Sequence, residues 1–205
     1  MLGAWTESYL PAGTLSINVK EPIQNGNSFY RRELCLTNAT EKIEFCQDDL
    51  IYQREFFVSM SEPVMAFHYH TSPNCNLEMS ITLESEIKHK SAFFAENGII
   101  LEGQAPIYVA PPYYSCEVPV VYEEGQGIRF AIGLYVQTNG GNVYQQADKL
   151  FINTPNDVYI YVSGVTDFKQ RELFFSKRNC MMENIQHIQY EKQKKAHMDV
   201  YANYF

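Results

Sequence analysis

The sequence predicts a mainly β protein, an antiparallel β-sandwich followed by a helical tail. Short runs of alternating apolar and polar residues recur up to about residue 165, with turn signals between them. Fifteen tyrosines and thirteen phenylalanines stand against a single tryptophan, and aromatic side chains pack well on the pleated surface of strands. Beyond that point the alternation gives way to a helical period. We therefore assign residues 1–165 to the sandwich and residues 166–205 to a helical linker.

Composition and charge argue against several functional classes for this chain. The chain has 205 residues and a formal net charge of −8, which argues against nucleic-acid binding because no basic stripe is available to contact phosphates. No apolar run has the length needed to cross a bilayer, and the first residues lack the basic and apolar regions of a signal peptide. The five cysteines are odd in number and include no Cys-x-x-Cys pair, so a reducing, cytoplasmic setting is favoured for the chain as given.

The most regular strand pattern lies in the first third of the chain. Residues 30–45 and 51–59 both alternate, and residues 47–49 supply a turn between them, so we expect a hairpin of half-buried strands. Further strands are predicted at residues 15–19, 64–70, 77–84, 98–103, 128–136, 143–144, 150–152 and 158–162. Many short strands at close intervals are typical of a sandwich.

Two helices are predicted after the sandwich, over residues 178–190 and 192–205. The first has an apolar stripe formed by Met181, Met182, Ile185 and Ile188. In the second, His197, Tyr201 and Phe205 recur every four residues and therefore share one face. We interpret this face as a contact with another domain. The alternative is a terminal helix that folds back on the sandwich.

A segment rich in proline and tyrosine, residues 104–122, interrupts the strand pattern. Its four prolines exclude a helix or a central strand, so a long ordered loop is predicted. Tyr108, Tyr113 and Tyr114 are its candidates for carbohydrate contact, because sugars bind by stacking on aromatic faces and by hydrogen bonds. The alternative is that these rings pack the loop onto its own sheet.

The residue pattern supplies no catalytic or metal-binding set. The adjacent carboxylate pairs at residues 48–49 and 123–124 point to opposite faces of a strand or decorate a turn, so they are not a catalytic pair. His68 and His70 share a strand face and could reach one ion, but no nearby cysteine or third histidine completes a set. We expect no catalytic residue, no cofactor and no metal in this chain.

Taken in order, several segments resemble the N-terminal β-domain of glycoside hydrolase family 95, the inverting α-L-fucosidases. The matching segments are residues 9–15 (YLPAGTL), 30–39 (YRRELCLTNA), 52–64 (YQREFFVSMSEPV), 101–106 (LEGQAP), 122–130 (YEEGQGIRF) and 190–205 (YEKQKKAHMDVYANYF). Cys35 stands where the family usually has Asp, and Ala12 lies in the entry turn. The family's opening segment would precede Trp5 and its (α/α)6 catalytic barrel would follow Phe205, so the resemblance implies a domain truncated at both ends.

The resemblance implies an accessory domain that is inactive alone, since the family's general acid Glu and its water-activating Asn and Asp lie in the barrel. The domain would brace that barrel, either in cis or as a separately encoded partner. The alternative is a stand-alone carbohydrate-binding module whose Tyr- and Pro-rich loop contacts fucosylated glycans. Exposed sheet edges in a truncated domain would also favour self-association.

Overall fold

The computed structural model describes residues 7–20, 29–47, 50–72, 77–154 and 156–204. The strands in these ranges are β1 (Thr14–Lys20), β2 (Phe29–Cys35), β3 (Thr40–Gln47), β4 (Leu50–Val58), β5 (Val64–Thr71), β6 (Leu77–Glu84), β7 (His89–Phe94), β8 (Gly98–Gln104), β9 (Tyr108–Val109), β10 (Val120–Val121), β11 (Arg129–Thr138), β12 (Asn142–Gln146), β13 (Lys149–Thr154) and β14 (Asp157–Thr166). The helices are α1 (Phe174–Gln186) and α2 (Tyr190–Tyr201), and a short 3-10 turn precedes α1. Neither helix has the length and apolar composition needed to span a membrane.

Two antiparallel sheets form the sandwich. The larger sheet has the strand order β2-β3-β4-β5-β14-β11-β8-β7, and the smaller has the order β1-β6-β13-β12. Between them lies a core of side chains from alternate positions, among them Ile81, Leu101, Leu134, Leu150 and Ile160, each fully buried. The predicted antiparallel β-sandwich with C-terminal helices is confirmed.

The larger sheet carries a second apolar layer on its outer face, where α1 lies. Phe174, Met181, Met182 and Ile185 belong to this layer. The helix approaches the sheet at Gly133 of β11, where a β-carbon would lie only 2.3 Å from the sulfur of Met182. Glycine at this position therefore permits the close contact between helix and sheet.

Residues 29–47 form two strands, where the sequence predicted one arm of a hairpin. The Asn38 side chain accepts hydrogen bonds from the backbone N–H and the hydroxyl of Thr40, at 3.2 and 2.7 Å, and Ala39 has a φ of +48°. This local turn reverses the chain, so β3 rather than β2 pairs with β4. β2 becomes an edge strand and is exposed along almost all of its length, not half-buried.

Further details of the structure bear on the predicted elements. β7 was not predicted and forms the second edge of the larger sheet, while α1 begins at Phe174 instead of Arg178. Within the predicted loop, β9 and β10 pair as a two-residue ladder. The last strand ends at Thr166, and the helical segment follows it. The predicted turn residues 48–49 lie outside the described residues.

Candidate functional site

Helix α2 is fastened to strand β4 by side chains that share one helix face. On the helix they are Tyr190, Gln193, Lys194 and His197, spaced as i, i+3, i+4 and i+7. Their partners on β4 and just after it are Glu55, Phe57 and Ser59. We call this set of seven residues the β4–α2 seam. Its strand side lies within the segment 52–64 that carries the family resemblance.

His197 is the buried centre of the seam, and backbone groups occupy both of its ring nitrogens. The backbone N–H of Met60 donates to Nδ1 at 3.2 Å, and Nε2 lies 2.8 Å from the carbonyl oxygen of Asn38. Because a backbone N–H can only donate, Nδ1 is the acceptor and Nε2 carries the proton. The ring also stacks on Phe57, with 5.0 Å between centroids. One side chain thus ties the helix to two separate turns of the sheet.

Glu55 is the charged group of the seam and is 9% exposed. The Tyr190 hydroxyl donates to Oε1 at 2.7 Å, Lys194 Nζ lies 2.6 Å from the same oxygen, and Lys42 Nζ lies 3.1 Å from Oε2. Burial raises the pKa of Glu55, but hydrogen bonds from Lys194 and Tyr190 outweigh it and hold that pKa below its usual value. Burial and the neighbouring carboxylate raise the pKa of Tyr190. The seam therefore contains a satisfied, ionised carboxylate.

The residues predicted as interdomain contacts lie in different surroundings. His197 contacts this chain's own sheet, as the fold-back alternative describes. Tyr201 is half-buried, with its ring centroid 6.0 Å from that of His197, and Phe205 lies outside the described residues. The contacting face begins upstream of the predicted stripe, at Tyr190. An interdomain role for Tyr201 and Phe205 stays a prediction.

A second polar set ties the end of the long loop to the helical segment. Asp167 is 1% exposed and accepts from the backbone N–H and the Nε of Arg129, at 2.9 and 2.8 Å. Arg171 donates to the carbonyl oxygens of Gly125 and Gly127, which both have positive φ. These contacts give a structural reason for the glycines and the arginine of the segment 122–130.

The tyrosine-rich loop presents its three candidate rings unevenly. Tyr113 is 70% exposed and Tyr114 is 43% exposed, whereas Tyr108 is half-buried in β9. Burial raises the pKa of Tyr108, with a smaller contribution from Cys116 and Tyr114. Exposed rings are accessible to a stacking ligand. Carbohydrate contact through this loop stays a prediction.

A cluster of two histidines and a carboxylate lies on the same sheet face as the seam. His68 and His70 of β5 stand beside Asp157, the first residue of β14, whose register partner is His70. His68 Nε2 and His70 Nδ1 each lie 2.8 Å from Asp157 Oδ1. Burial raises the pKa of Asp157, but hydrogen bonds with His68 and His70 outweigh it, so that pKa lies below its usual value.

The sequence predicted the shared face of His68 and His70 but missed Asp157, which is 87 positions from His70. The sequence offered one local signal for Asp157, which lies two positions before Tyr159 and therefore on the same face of a strand. Nothing local specifies that β14 pairs with β5. A pocket of about 290 Å³ adjoins the two histidines. Its lining includes His68, His70, Tyr190, Glu191 and Lys194.

The family of the chain follows from a comparison with known proteins. Residues 1–171 match the family described as "Glycosyl hydrolase family 65, N-terminal domain". Alpha-L-fucosidase 2 from Arabidopsis thaliana is 29% identical over 121 residues, a match that covers 56% of this chain and 14% of that protein.

A solved structure described as a kojibiose phosphorylase from the human microbiome shares the fold, with a TM-score of 0.57 and 10% identity. It covers 90% of this chain, and the chain spans 27% of it. The chain thus spans a minor part of both relatives. The resemblance to an N-terminal domain of a glycoside hydrolase is confirmed. This chain belongs to the family of glycosyl hydrolase family 65 N-terminal domains.

Proposed function

We propose that this chain is the accessory β-domain of an α-L-fucosidase-type glycoside hydrolase, which braces the catalytic barrel and does not catalyse alone. The observation that carries the proposal is the β4–α2 seam, which holds α2 at one orientation on the sheet. Family membership supplies the context, and the identity with Alpha-L-fucosidase 2 supports the fucosidase type.

The seam is suited to bracing because it is buried and polar at once. An apolar contact alone lets a helix slide or rotate, whereas the bonds to His197 and Glu55 require one register of α2 on the sheet. A domain that continues from α2 would then start from a fixed direction.

The helical segment also offers an apolar surface for a neighbouring domain. Phe168, Leu173 and Phe175 are 71%, 41% and 56% exposed. Large apolar side chains exposed at a surface are candidates for contact sites. The proposal assigns this surface, together with Tyr201 and Phe205, to the contact with the barrel.

The carboxylates support an accessory role over a catalytic one. A glycosidase needs two carboxyl groups that face each other across the scissile bond. In the described part of the chain the buried acids are Glu55 and Asp167, and both are engaged by Lys or Arg side chains. The proposal therefore assigns both of them to structure.

The test uses the native protein, captured from its source cells with an antibody raised to this chain. The proposal expects a captured species or complex several times heavier than 23.7 kDa that hydrolyses an aryl α-L-fucoside. The recombinant 205-residue chain should show no hydrolysis. A captured species of 23.7 kDa without a partner would contradict bracing, and a heavier species that cleaves only α-glucosides would contradict the fucosidase type.

The exposure of Tyr113 and Tyr114 favours a second candidate, a carbohydrate-binding module. In that case the chain alone should release or absorb heat when titrated with fucosylated oligosaccharides at millimolar concentration. The Tyr113→Ala/Tyr114→Ala variant should lose this heat, and Tyr204→Ala, which removes a ring that is 70% exposed elsewhere, should retain it. An absence of heat with the unmodified chain would eliminate this candidate.

A further inference from the structure

We infer that His68, His70 and Asp157 form a binding site for one divalent transition-metal ion, and zinc is one ion that this donor set fits. Each residue offers one ligand atom, and these atoms all lie within 4.8 Å of one another. The two histidines come from one strand and the carboxylate from its neighbour, so a bound ion would link β5 to β14.

The sheet itself places the three groups together. His68 and His70 are two positions apart on β5 and therefore point to one face. Asp157 is the register partner of His70 and points to the same face. Strands impose this arrangement before any ligand arrives, so binding requires small side-chain adjustments instead of a folding step.

The side chains that contact Asp157 differ from those that contact the buried acids of the chain. Both imidazoles share a single oxygen, Oδ1 of Asp157, at 2.8 Å each. The two buried acids among the described residues differ: Glu55 is engaged by two lysines, and Asp167 by two arginines. Among the described residues, the ion-pair partners of Asp157 are these two histidines. A divalent cation in their midst would satisfy the carboxylate and both ring nitrogens at once.

The donor set discriminates between metals. Imidazole nitrogens suit zinc, cobalt, nickel and copper, whereas magnesium and calcium prefer an all-oxygen shell. Two histidines and one carboxylate are also a known ligand set of zinc sites that keep their fourth position for water. The cluster should therefore bind Zn²⁺ or Co²⁺ and have no measurable affinity for Mg²⁺ or Ca²⁺.

The cluster is accessible to an ion from solvent, and its side chains are also partly buried. The side chains of His68, His70 and Asp157 are 20%, 38% and 17% exposed. The pocket of about 290 Å³ adjoins both histidines and leaves space for a water ligand. The His68 ring stacks on Tyr159 at 4.4 Å between centroids and lies 5.0 Å from Tyr190, which restricts its rotation.

The experiment is a titration of the purified 205-residue chain, with any affinity tag removed, by Co²⁺ and then by Zn²⁺. Co²⁺ should bind one equivalent with the visible absorption of a four- or five-coordinate ion, and Zn²⁺ should displace it. Mg²⁺ and Ca²⁺ should change neither the spectrum nor the calorimetric heat. Zn²⁺ should also raise the Tm, because a ligand of the native state stabilises it by mass action.

Variants separate this site from adventitious binding. His70→Ala and Asp157→Asn should each weaken metal binding by at least about 10-fold. Removal of a residue that only supports a metal ligand already weakens binding by about 10- to 100-fold, and these two residues are proposed as ligands themselves. His89→Ala, which removes an exposed histidine on β7, is the matched control and should bind as the unmodified chain does. Circular dichroism and the metal-free Tm establish that each variant is folded.

Two results would overturn the inference. One is the absence of any Co²⁺ spectrum and of any Zn²⁺ heat with the unmodified chain at millimolar metal. The other is binding that persists unchanged in folded His70→Ala and Asp157→Asn. The outcome is independent of the proposed accessory role, because the readout is metal affinity and neither hydrolysis nor association with a barrel.

Discussion

The outer face of the larger sheet carries two histidine environments that differ in almost every physical respect. In the β4–α2 seam, His197 is fully buried and each ring nitrogen has its own backbone partner. In the neighbouring cluster, His68 and His70 share one carboxylate oxygen beside an open pocket. His197 is therefore part of the fold, while His68 and His70 are the histidines that we propose as metal ligands.

Under the two proposals, one sheet face would serve two purposes. The seam must hold α2 on the sheet at all times, and burial with full hydrogen bonding stabilises this contact. A ligand site needs access, and partial exposure supplies it. Tyr190 stands at the boundary, since its hydroxyl donates to Glu55 of the seam and its ring lies next to His68.

In the β4–α2 seam, the substitution His197→Ala should have the largest effect on the free energy of unfolding. It opens a cavity and leaves two partly buried backbone groups unpaired, so the free energy of unfolding should fall by about 3 kcal/mol. Urea denaturation measures this change. His187→Ala, at an exposed position after α1, is the control and should change stability by less than about 0.5 kcal/mol. Equal losses in the two variants would contradict the account of the seam.

Tyr190→Phe should have an intermediate effect. It removes one hydrogen bond to a buried carboxylate that keeps two lysine partners, so the loss should be about 1.5 kcal/mol. Thermal unfolding of this variant is compared with Tyr204→Phe, which alters an exposed ring. If Tyr190→Phe unfolds at the temperature of the unmodified chain, the hydroxyl contributes nothing to the seam.

The contribution of Glu55 should depend on pH. The pKa of Glu55 is lower in the folded chain than its ordinary value of 4.5, so the stability from its charge is fully present above that value and is lost as pH falls through the folded pKa. The difference in unfolding free energy between the unmodified chain and Glu55→Gln should therefore shrink on acidification. Denaturation at neutral and acidic pH measures it, with the exposed Glu62→Gln as control. A difference that stays constant with pH would contradict an ionised Glu55.

In the histidine cluster, His70→Ala should lower the free energy of unfolding only slightly when metal is absent. The side chain is 38% exposed and makes one side-chain hydrogen bond, so we expect a loss below about 1 kcal/mol. The same denaturation assay checks this value. A loss as large as that of His197→Ala would mean that both histidine environments are structural and would remove the contrast.

Self-association through the edge strand β2 is the smallest expected effect. Leu34 and Leu36 are 63% and 71% exposed at this edge, and neighbouring charged residues limit pairing with another chain. Light scattering after gel filtration should show concentration-dependent mass above 23.7 kDa, and Leu34→Lys/Leu36→Lys should abolish it. Val118→Lys, at an exposed apolar position in the loop, should not. A single monomeric mass at all concentrations would contradict this prediction.

Strands with a clear apolar pattern could be predicted from sequence because the pattern is local. The runs at residues 77–84 and 158–162, for instance, lie within β6 and β14. The turn at Asn38 was not recognised as a reversal, although Asn is a common turn residue, because alternation continues on both sides of it. β7 was missed because its residues are mostly exposed and lack a strong apolar face.

The candidate sites were less predictable because they depend on contacts between distant parts of the chain. His197 was identified as part of a helix face, but its partners at Asn38 and Met60 lie 159 and 137 positions away. Asp157 completes the histidine cluster only through the pairing of β5 with β14. Spacing along one strand or helix can be read from sequence, while the partner across a sheet requires the topology.

The most direct test of the central claim, that the seam holds α2 in one fixed position, is amide hydrogen exchange in α2. The account predicts that the amides of Tyr190–Tyr201 exchange slowly in the isolated chain, at rates close to those of β11 and β14. In His197→Ala, protection should be lost in α2 while the sheet retains it. Exchange of α2 at the rate of an unstructured peptide in the unmodified chain would contradict the account.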